Sequence, residues 1–449
     1  MNRKTSLIWF SHDLRIDDNP ILHMAAHSDA LVCVFFVEPE WFQPIATSQP
    51  SGPRIGPHRW RFLQQALVDL SEQLTSLGQR LLVVFGSPQQ ALPPLLQRFS
   101  VNRVLRSTHA TSYEQRQWQQ LRDAHCQIEW LQIDSHDLFQ PQQLPFARDQ
   151  LPTSFSKFRK LVEPLPIAAP LEPPACLPWS PLDQQAVKQA AAELPQVQPL
   201  PHQDSDWLQL IGGERSGLAH LARYFDSEMP LCYKQVRNEL DGWQHSTKLS
   251  PWLALGCISV RRVVAVLKQY EQRFEANEST YWIYFELLWR EYFHCYAKRY
   301  GNRIFQFRGL RDARPLTSFY PQRFRQWSQG QTQYPLVNAC IKQLNATGYM
   351  SNRGRQIVAS CLVNEMQVDW RYGAAYFEYQ LVDYDPAVNW GNWQYIAGVG
   401  ADPRGGRHFN IEKQQQQYDP DGDYIRRWQG QVVNAACDAV DGADWPTYS

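Results

Sequence analysis

The sequence predicts a two-part chain: an N-terminal α/β domain built on a doubly wound parallel sheet, then a C-terminal domain that is nearly all α-helix. Three observations carry that prediction. The first 135 residues alternate short β-branched and aromatic runs with longer helical stretches. Residues 136–204 turn rich in proline and glutamine, and from 205 to about 430 apolar residues recur at helical spacing. A chain of 449 residues is long enough for each part to bury its own core.

The runs TSLIWFS, LVCVFFV, RLLVVFG, RVLRST and QIEWLQI are each long enough for one buried strand. Segments such as HRWRFLQQALVDLSEQLTSLG separate them with apolar residues at helical spacing, and this alternation builds a parallel sheet. Neither GxGxxG nor GxxxxGK[ST] follows any strand, so the sheet carries no dinucleotide or P-loop signature. In LEPPACLPWSPL and LPQVQPLPHQD the prolines remove the N–H groups that long helices or inner strands need, which makes 136–204 a connector. Beyond it GLAHLARYF, VRRVVAVLKQY, TYWIYFELLWREYFHCYAKRY, LVNACIKQL, RGRQIVASCLVNEM and YGAAYFEYQL read as helices. No internal repeat interrupts them, and 431–449 reads as a short, loose tail.

Composition sets further bounds. Lys plus Arg and Asp plus Glu both number 44, which argues against coating nucleic acid through bulk charge. A local patch remains open: WREYFHCYAKRYGNRIFQFRGLRDAR carries Arg290, Lys298, Arg299, Arg303, Arg308, Arg311 and Arg314 against Glu291 and Asp312, either a solvated helix face or a phosphate-contacting surface. Nine cysteines without a CxxC pair fit reduced thiols, with no metal site expected. No apolar run approaches the roughly 20 residues of a spanning helix and MNRKTSLIWFSHD lacks the apolar stretch of a signal peptide, so a cytoplasmic protein without membrane partners is expected. Of 17 tryptophans, eleven lie after residue 200, an enrichment that suits core packing, stacking on flat ligands or passing electrons between rings.

Four stretches concentrate residues that bind or react. DYDPAVNWGNWQY sets Asp383, Asp385 and Asn389 among large rings, a composition suited to holding something flat. In TYWIYFELLWREYF, positions 282, 286, 289 and 293 share one helical face, which places Glu286 among Trp282, Trp289 and Phe293. Such a carboxylate needs a partner: an ion pair with Arg290 one turn on, or a hydrogen bond to a buried ligand. HSTKLSPWLALG puts hydroxyls and Lys248 ahead of a proline-initiated helix, which serves either an ordinary N-cap or an anion held by backbone N–H groups and Ser250. SNRGRQIVASCLVNEM places Arg353 and Arg355 in a first helical turn, where the macrodipole disfavours cations unless anions answer them. Asp383 or Asp385 can answer one and a phosphate the other, or both arginines are simply solvated.

Taken with WFSHDLRIDDNPIL, YKQVRNEL, LNATGYMSNRGRQ, DWRYGAAYFEYQLVDYDP, QYIAGVGADPR and FNIEKQQQQYDPDGDYIRRW, these stretches resemble the photolyase/cryptochrome flavoproteins, and within them the DASH-type cryptochromes. The resemblance runs in unbroken order over about residues 5 to 430. It implies an antenna-binding α/β domain over 1–135 and a helical FAD- and DNA-binding domain over 205–430. Tyr233 with Ser246, Thr247, Lys248, Leu249 and Ser250 would hold the FAD phosphates and ribityl chain. Arg355 would pair with Asp383 beside the isoalloxazine, Asp385 would meet the ring edge, Asn389 would face N5, and Arg290 and Asn352 would complete the cofactor contacts. The neutral Asn389 can donate or accept as the flavin changes redox state, which favours a reduced anionic flavin. Trp393 and Trp370 match the first two electron donors of the family. The third position falls on Thr317, which cannot take part and leaves Phe319, Tyr320 or Trp327 as exits.

For substrate, the resemblance puts Glu286, Trp289, Asn352 and Arg353 at the mouth of the flavin pocket, Glu286 to hydrogen-bond a pyrimidine-dimer radical anion and Trp289 to stack on flipped-out bases. Tyr395 and Gln356 stand where conventional cyclobutane-dimer photolyases carry Trp and Met, a less apolar pocket that points to single-stranded DNA. Arg404 and Arg407, with the basic stretch, would contact phosphates, and Asn352 stands where the (6-4) branch uses His. The implied activity is light-driven repair of cyclobutane pyrimidine dimers, preferentially in single-stranded DNA, by electron transfer from reduced FAD in a monomeric lyase. The alternative is a blue-light photoreceptor or regulator that binds DNA or RNA with little repair. The antenna is expected to be 5,10-methenyltetrahydrofolate, held through Glu114 or Gln117, with Ser11 where the family usually has Arg.

Overall fold

Alternation of side chains along the strands decides how the sheet is covered. In the computed structural model, which describes residues 4–43, 53–197, 210–312, 314–400 and 405–432, the five expected strands form: β1 (Thr5–Phe10), β2 (Ala30–Val37), β3 (Leu81–Phe85), β4 (Arg103–Ser107) and β5 (Glu129–Ile133). All pair in parallel in the order β3-β2-β1-β4-β5. The crossovers carry α1 (Pro20–Ala25), α2 (Pro57–Ser76), α3 (Pro88–Arg98) and α4 (Ser112–Ala124). Leu7, Trp9, Val32, Val34 and Phe36 pack with Leu92, Leu96, Trp118 and Leu121 of α3 and α4. Their neighbours Ile8, Phe10, Leu31, Cys33 and Phe35 join Leu22 of α1 and Leu63 and Leu70 of α2 in a core that runs on into the helical domain. Burial on both faces is why β2 reads as an uninterrupted apolar run. Strand order reverses between β1 and β4, and their outgoing loops diverge there to open a crevice that His12 and His109 help line.

The connector contains two short helices, α5 (Phe155–Val162) and α6 (Gln184–Ala192), and is otherwise largely irregular, as its prolines require; residues 198–209 lie outside the described ones, as do Arg404 and 433–449 of the tail. The remainder is helical: α7 (Glu214–Phe225), α8 (Met229–Val236), α9 (Ser250–Ala254), α10 (Val260–Phe274), α11 (Glu278–Tyr300), α12 (Pro321–Gln329), α13 (Pro335–Thr347), α14 (Asn352–Ser360), α15 (Trp370–Gln380), α16 (Pro386–Ala397), α17 (Ile411–Tyr418) and α18 (Asp423–Arg427). The long α11 is the axis, with α5, α8, α10 and α16 packed on it. It starts at a reciprocal cap between Asn277 and Thr280, which satisfies two backbone N–H groups that its first turn would leave unpaired. Among the described residues, no helix is long and apolar enough to cross a membrane.

Buried polar groups of the β1–α1 loop join the two domains. Arg15, almost fully buried, donates to the carbonyls of Asp17, Asp18, Ser135 and Gly256. Gly256 has φ +62° and lies so close to this loop that a Cβ there would fall 1.8 Å from the His12 carbonyl oxygen. Asp18 accepts two bonds from Arg261, at 2.7 and 3.0 Å, and Asp17 pairs with Arg262. Because the Asp18 side chain is fully shielded and that of Arg261 nearly so, Asp18→Ala strands a buried cation. Denaturant unfolding of that variant is expected to show a loss of about 3–5 kcal/mol.

Candidate cofactor and substrate site

Where α8, α9, α11, α14 and α16 converge they enclose a cavity of about 470 Å³, flanked by a smaller one of about 130 Å³ that reaches Asn389 and Trp393. The two share Asn352, Arg355, Gln356, Asp383, Asp385 and Tyr395. Tyr233, Thr247, Leu249, Ser250, Glu286, Trp289 and Arg290 line the larger part. Most residues named from the sequence therefore meet around one space, although they are scattered over some 160 residues of chain.

Local structure explains each placement. Ser351 caps α14 by accepting from the Gly354 N–H, which presents Asn352, Arg355 and Gln356 from the first turn. Asp385 caps α16 through Val388 N–H at 3.1 Å. Arg355 reaches Asp383 Oδ2 at 2.8 Å and the Met350 carbonyl at 2.9 Å. Asn389 donates to the Ala374 carbonyl at 3.0 Å, which fixes the side chain in one orientation. Lys248 sits in the left-handed region, φ +52°, an unusual conformation for a residue with a side chain.

Two buried groups suit an anionic, polar ligand. Among the described residues Asp383 Oδ1 has no hydrogen-bond partner, although its side chain is almost fully buried. Lys248 is buried, with Ser246 Oγ 2.9 Å away and the Tyr349 ring centroid 5.3 Å away, and among the described residues no carboxylate pairs with it; burial pushes its pKa down to about 8. A ligand bearing phosphates and a ring N–H would answer both. These residues fit FAD: Asp383 would take the ring, while Thr247 and Ser250 would hold phosphates and ribityl, with Lys248 as a buried cation behind them.

Several expectations need correction. Glu286 pairs with Arg237, the C-cap residue of α8, at 2.5 Å, and not with Arg290; Arg290 instead donates to the His136 carbonyl at 2.8 Å. Burial pushes the Glu286 pKa up and Arg237 pulls it back, for a net rise. Arg353 does not line the cavity. It turns away to Asn238 at 3.2 Å and lies over the rings of Phe409 and Tyr418. Ser246 and Lys248 stand behind the lining, and Trp370 is buried away from it. Trp289 lines the cavity, but one of its faces is stacked on Phe155 at 3.8 Å. Arg407 lies against Tyr395, donating to its hydroxyl at 2.5 Å. Of the basic stretch, Arg290, Lys298 and Arg299 are engaged within the protein, whereas Arg303, Arg308, Arg311 and Arg314 are exposed, Arg311 with its Nε on the Gly398 carbonyl at 3.3 Å.

Sequence reasoning missed Arg237, although it stands four residues after Tyr233 and so shares its helical face. It also missed His294, which bonds Asp385 from behind at 2.7 Å; its i, i+4 spacing from Arg290 and Lys298 was the available signal.

A second cavity, of about 390 Å³, opens at the crevice between β1 and β4. Trp9, Phe35 and Trp41 supply rings and Arg54, Arg59 and Arg106 supply cations. Ser11 and Glu114 line it, while Gln117 is buried behind and donates to Glu38 at 2.8 Å.

Comparison with known proteins follows the same division. Residues 6–175 match the domain family described as DNA photolyase, and 282–443 match the FAD binding domain of DNA photolyase. The chain is 49% identical to the cryptochrome DASH of Vibrio parahaemolyticus, over 99% of this chain and 98% of that one. The crystal structure of Synechocystis cryptochrome superposes with a TM-score of 0.89 at 39% identity, covering 98% of this chain and 91% of that one. An archaeal photolyase from Sulfolobus tokodaii, solved with two FAD molecules, gives 0.73 at 25% identity over 99% and 96%. With FAD as the ligand, Asp383→Ala is expected to weaken its binding about 30-fold, equivalent to roughly 2 kcal/mol for a lost charged hydrogen bond. Fluorescence titration of the apoprotein with FAD checks this.

Proposed function

Because the chain belongs to the photolyase/cryptochrome family, and within it to the DASH cryptochromes that bind FAD, we propose that it repairs cyclobutane pyrimidine dimers in single-stranded DNA under blue light. One observation carries this reading: Glu286 and Trp289 of α11 and Tyr395 of α16 open onto the same cavity as Asp383 and Arg355. Substrate groups and cofactor groups therefore share one space. Bound FAD supplies the light-driven one-electron chemistry. The side chains do the rest.

Trp289, backed by Phe155, is a fixed platform against which a flipped-out base can stack without first ordering a mobile ring. Glu286 keeps a proton more readily than a free carboxyl, because burial opposes its charge, so it can donate a hydrogen bond to a pyrimidine carbonyl that becomes negative. Arg237, bonded to the other side of Glu286, limits that rise and orients the carboxyl. Gln356 and Tyr395 make this wall partly polar. Weak apolar stacking does little to offset the unpairing of a duplex, which favours already unpaired strands. Exposed Arg303, Arg308, Arg311 and Arg314 supply cationic surface for phosphates. The 390 Å³ cavity takes a flat, negatively charged antenna, in our reading 5,10-methenyltetrahydrofolate.

In blue light, pre-reduced protein is expected to restore thymine absorbance in a single-stranded oligonucleotide carrying one dimer, and much less in the matched duplex. Glu286→Gln should lower that rate about 100-fold with FAD content unchanged. Absence of repair on both strands with FAD bound and reduced would replace this reading by that of a blue-light regulator. The absorption spectrum of chromophore released on denaturation identifies the antenna: a folate band supports our reading, and a second equivalent of flavin overturns it.

A further inference from the structure

His294, buried on α11, stands behind Asp385 and does not itself line the cavity. Its Nδ1 lies 2.6 Å from Asp137 Oδ1 and its Nε2 2.7 Å from Asp385 Oδ2. Asp137 opens the connector just after β5 and Asp385 caps α16, so one imidazole ties the connector, the central helix and the wall of the cofactor cavity together. Both carboxylates already accept other bonds, Asp137 from Lys298 and Asp385 from the Val388 N–H. Ionised carboxylates only accept, so both ring nitrogens must donate, and only the imidazolium does that.

We propose that His294 is a positioning residue for the flavin site: as an imidazolium gripped from both sides, it fixes Asp385 at the cavity wall and neutralises the charge that the cofactor's ring edge meets. This rests on the flavin reading of that cavity. The other charges facing His294 are Arg290, Glu291 and Lys298 on its own helix, and the imidazoles of His136, His12 and His109 gather across a small neighbouring cavity. Burial and Arg290 push the His294 pKa down, but Asp385 and Asp137 outweigh them and hold it at about 9. Burial pushes the three neighbouring imidazoles below their ordinary value, so they stay neutral. Glu291, lifted by burial and Asp137 to about 8, titrates beside His294, and Lys248 of the cofactor site, lowered by burial to about 8, titrates in the same range.

The folded-state value of His294 lies above the unfolded 6.5, so its grip is fully present below that pH and is lost as pH rises through about 9. Above it the neutral ring donates through one nitrogen only and turns a lone pair on a carboxylate.

Full-length protein with ¹³C-labelled histidine is titrated from pH 7 to 10 by NMR, with and without FAD, alongside the flavin midpoint potential. A resonance missing in His294→Gln should titrate near pH 9, and the potential should show the same transition. His294→Arg, a permanent cation, should keep FAD and abolish the transition, and Glu291→Gln should leave it in place. His294→Gln should abolish it too and move the pH 7 potential negative, because Asp385 then faces the flavin uncompensated. A transition near pH 9 that survives in His294→Arg, or a His294 resonance titrating at or below 6.5, overturns the proposal; should His294→Gln fail to fold, His294→Arg identifies the resonance and decides alone. Failure of the wild-type chain to bind FAD would sink the flavin reading itself, and with it the flavin part of this proposal, whatever His294 does.

Discussion

The inner side of α11 is a row of ionisable groups, and none of them can be buried without a partner. Arg290 donates to the His136 carbonyl, Glu291 accepts the Leu138 N–H at 2.9 Å, His294 meets Asp137, Lys298 meets Asp134 and Asp137, and Arg299 reaches the Leu151 carbonyl. All these acceptors and donors come from residues 134–151, just after β5. Such pairs contribute little net stability, because each gain is set against desolvation. What they fix is register. Sliding α11 by one turn, about 5.4 Å, would unpair every one of them at once, a cost far above that of any single misplacement.

That register positions the other side of the helix. Glu286 and Trp289 reach the cavity because Arg290 to Arg299 are held where they are, and α16 can come close because Gly391 lies against Phe293, where a Cβ would fall 2.3 Å from the ring. Close approach of α11 and α16 then brings Asp385 within reach of His294. The docking of the α/β domain and the charge at the cavity wall are therefore one arrangement. The connector is more than a link between the domains, since its first residues, just after β5, supply Asp137.

Much of this was legible in the sequence where the information is local. Strands with an unbroken apolar run, such as LVCVFFV, announce burial on both faces, and the 23 residues of α11 show helical spacing throughout. Single lining residues such as Glu286, Asp383 and Ser250 stood out in the sequence, but that they meet Tyr233 and Asn352 around one cavity was legible only through the resemblance, since they lie on separate elements. Pairings between distant elements were not legible. At i, i+4, Glu286 and Arg290 looked like partners, yet the docking contact with His136 takes Arg290, and Arg237 arrives from another helix. The basic run from Arg290 to Arg314 read as one surface, but a helix rotates about 100° per residue, so its first half had to turn partly inward.

The same distinction bears on the rings. Thr317 leaves the donor series implied by the resemblance without its outer member, and its hydroxyl is buried with no partner. Trp370, fully buried, has Trp390 as a ring neighbour at 5.7 Å, and Trp393 has Trp327 at 6.3 Å and Phe377 at 5.1 Å. From Trp327 the rings continue through Phe324, at 5.9 Å, to Phe319, which is stacked on Tyr372 at 4.1 Å. Tyr320 lies under the Arg323 guanidinium at 4.2 Å, and a cation there opposes oxidation of the ring. Of the three exits that the sequence left open, Trp327 and Phe319 therefore belong to one continuous ring path that starts at Trp393 and bypasses both Trp370 and Thr317, while Tyr320 is electrostatically disfavoured. Composition showed that rings are abundant in this domain; only their packing tells which of them are connected.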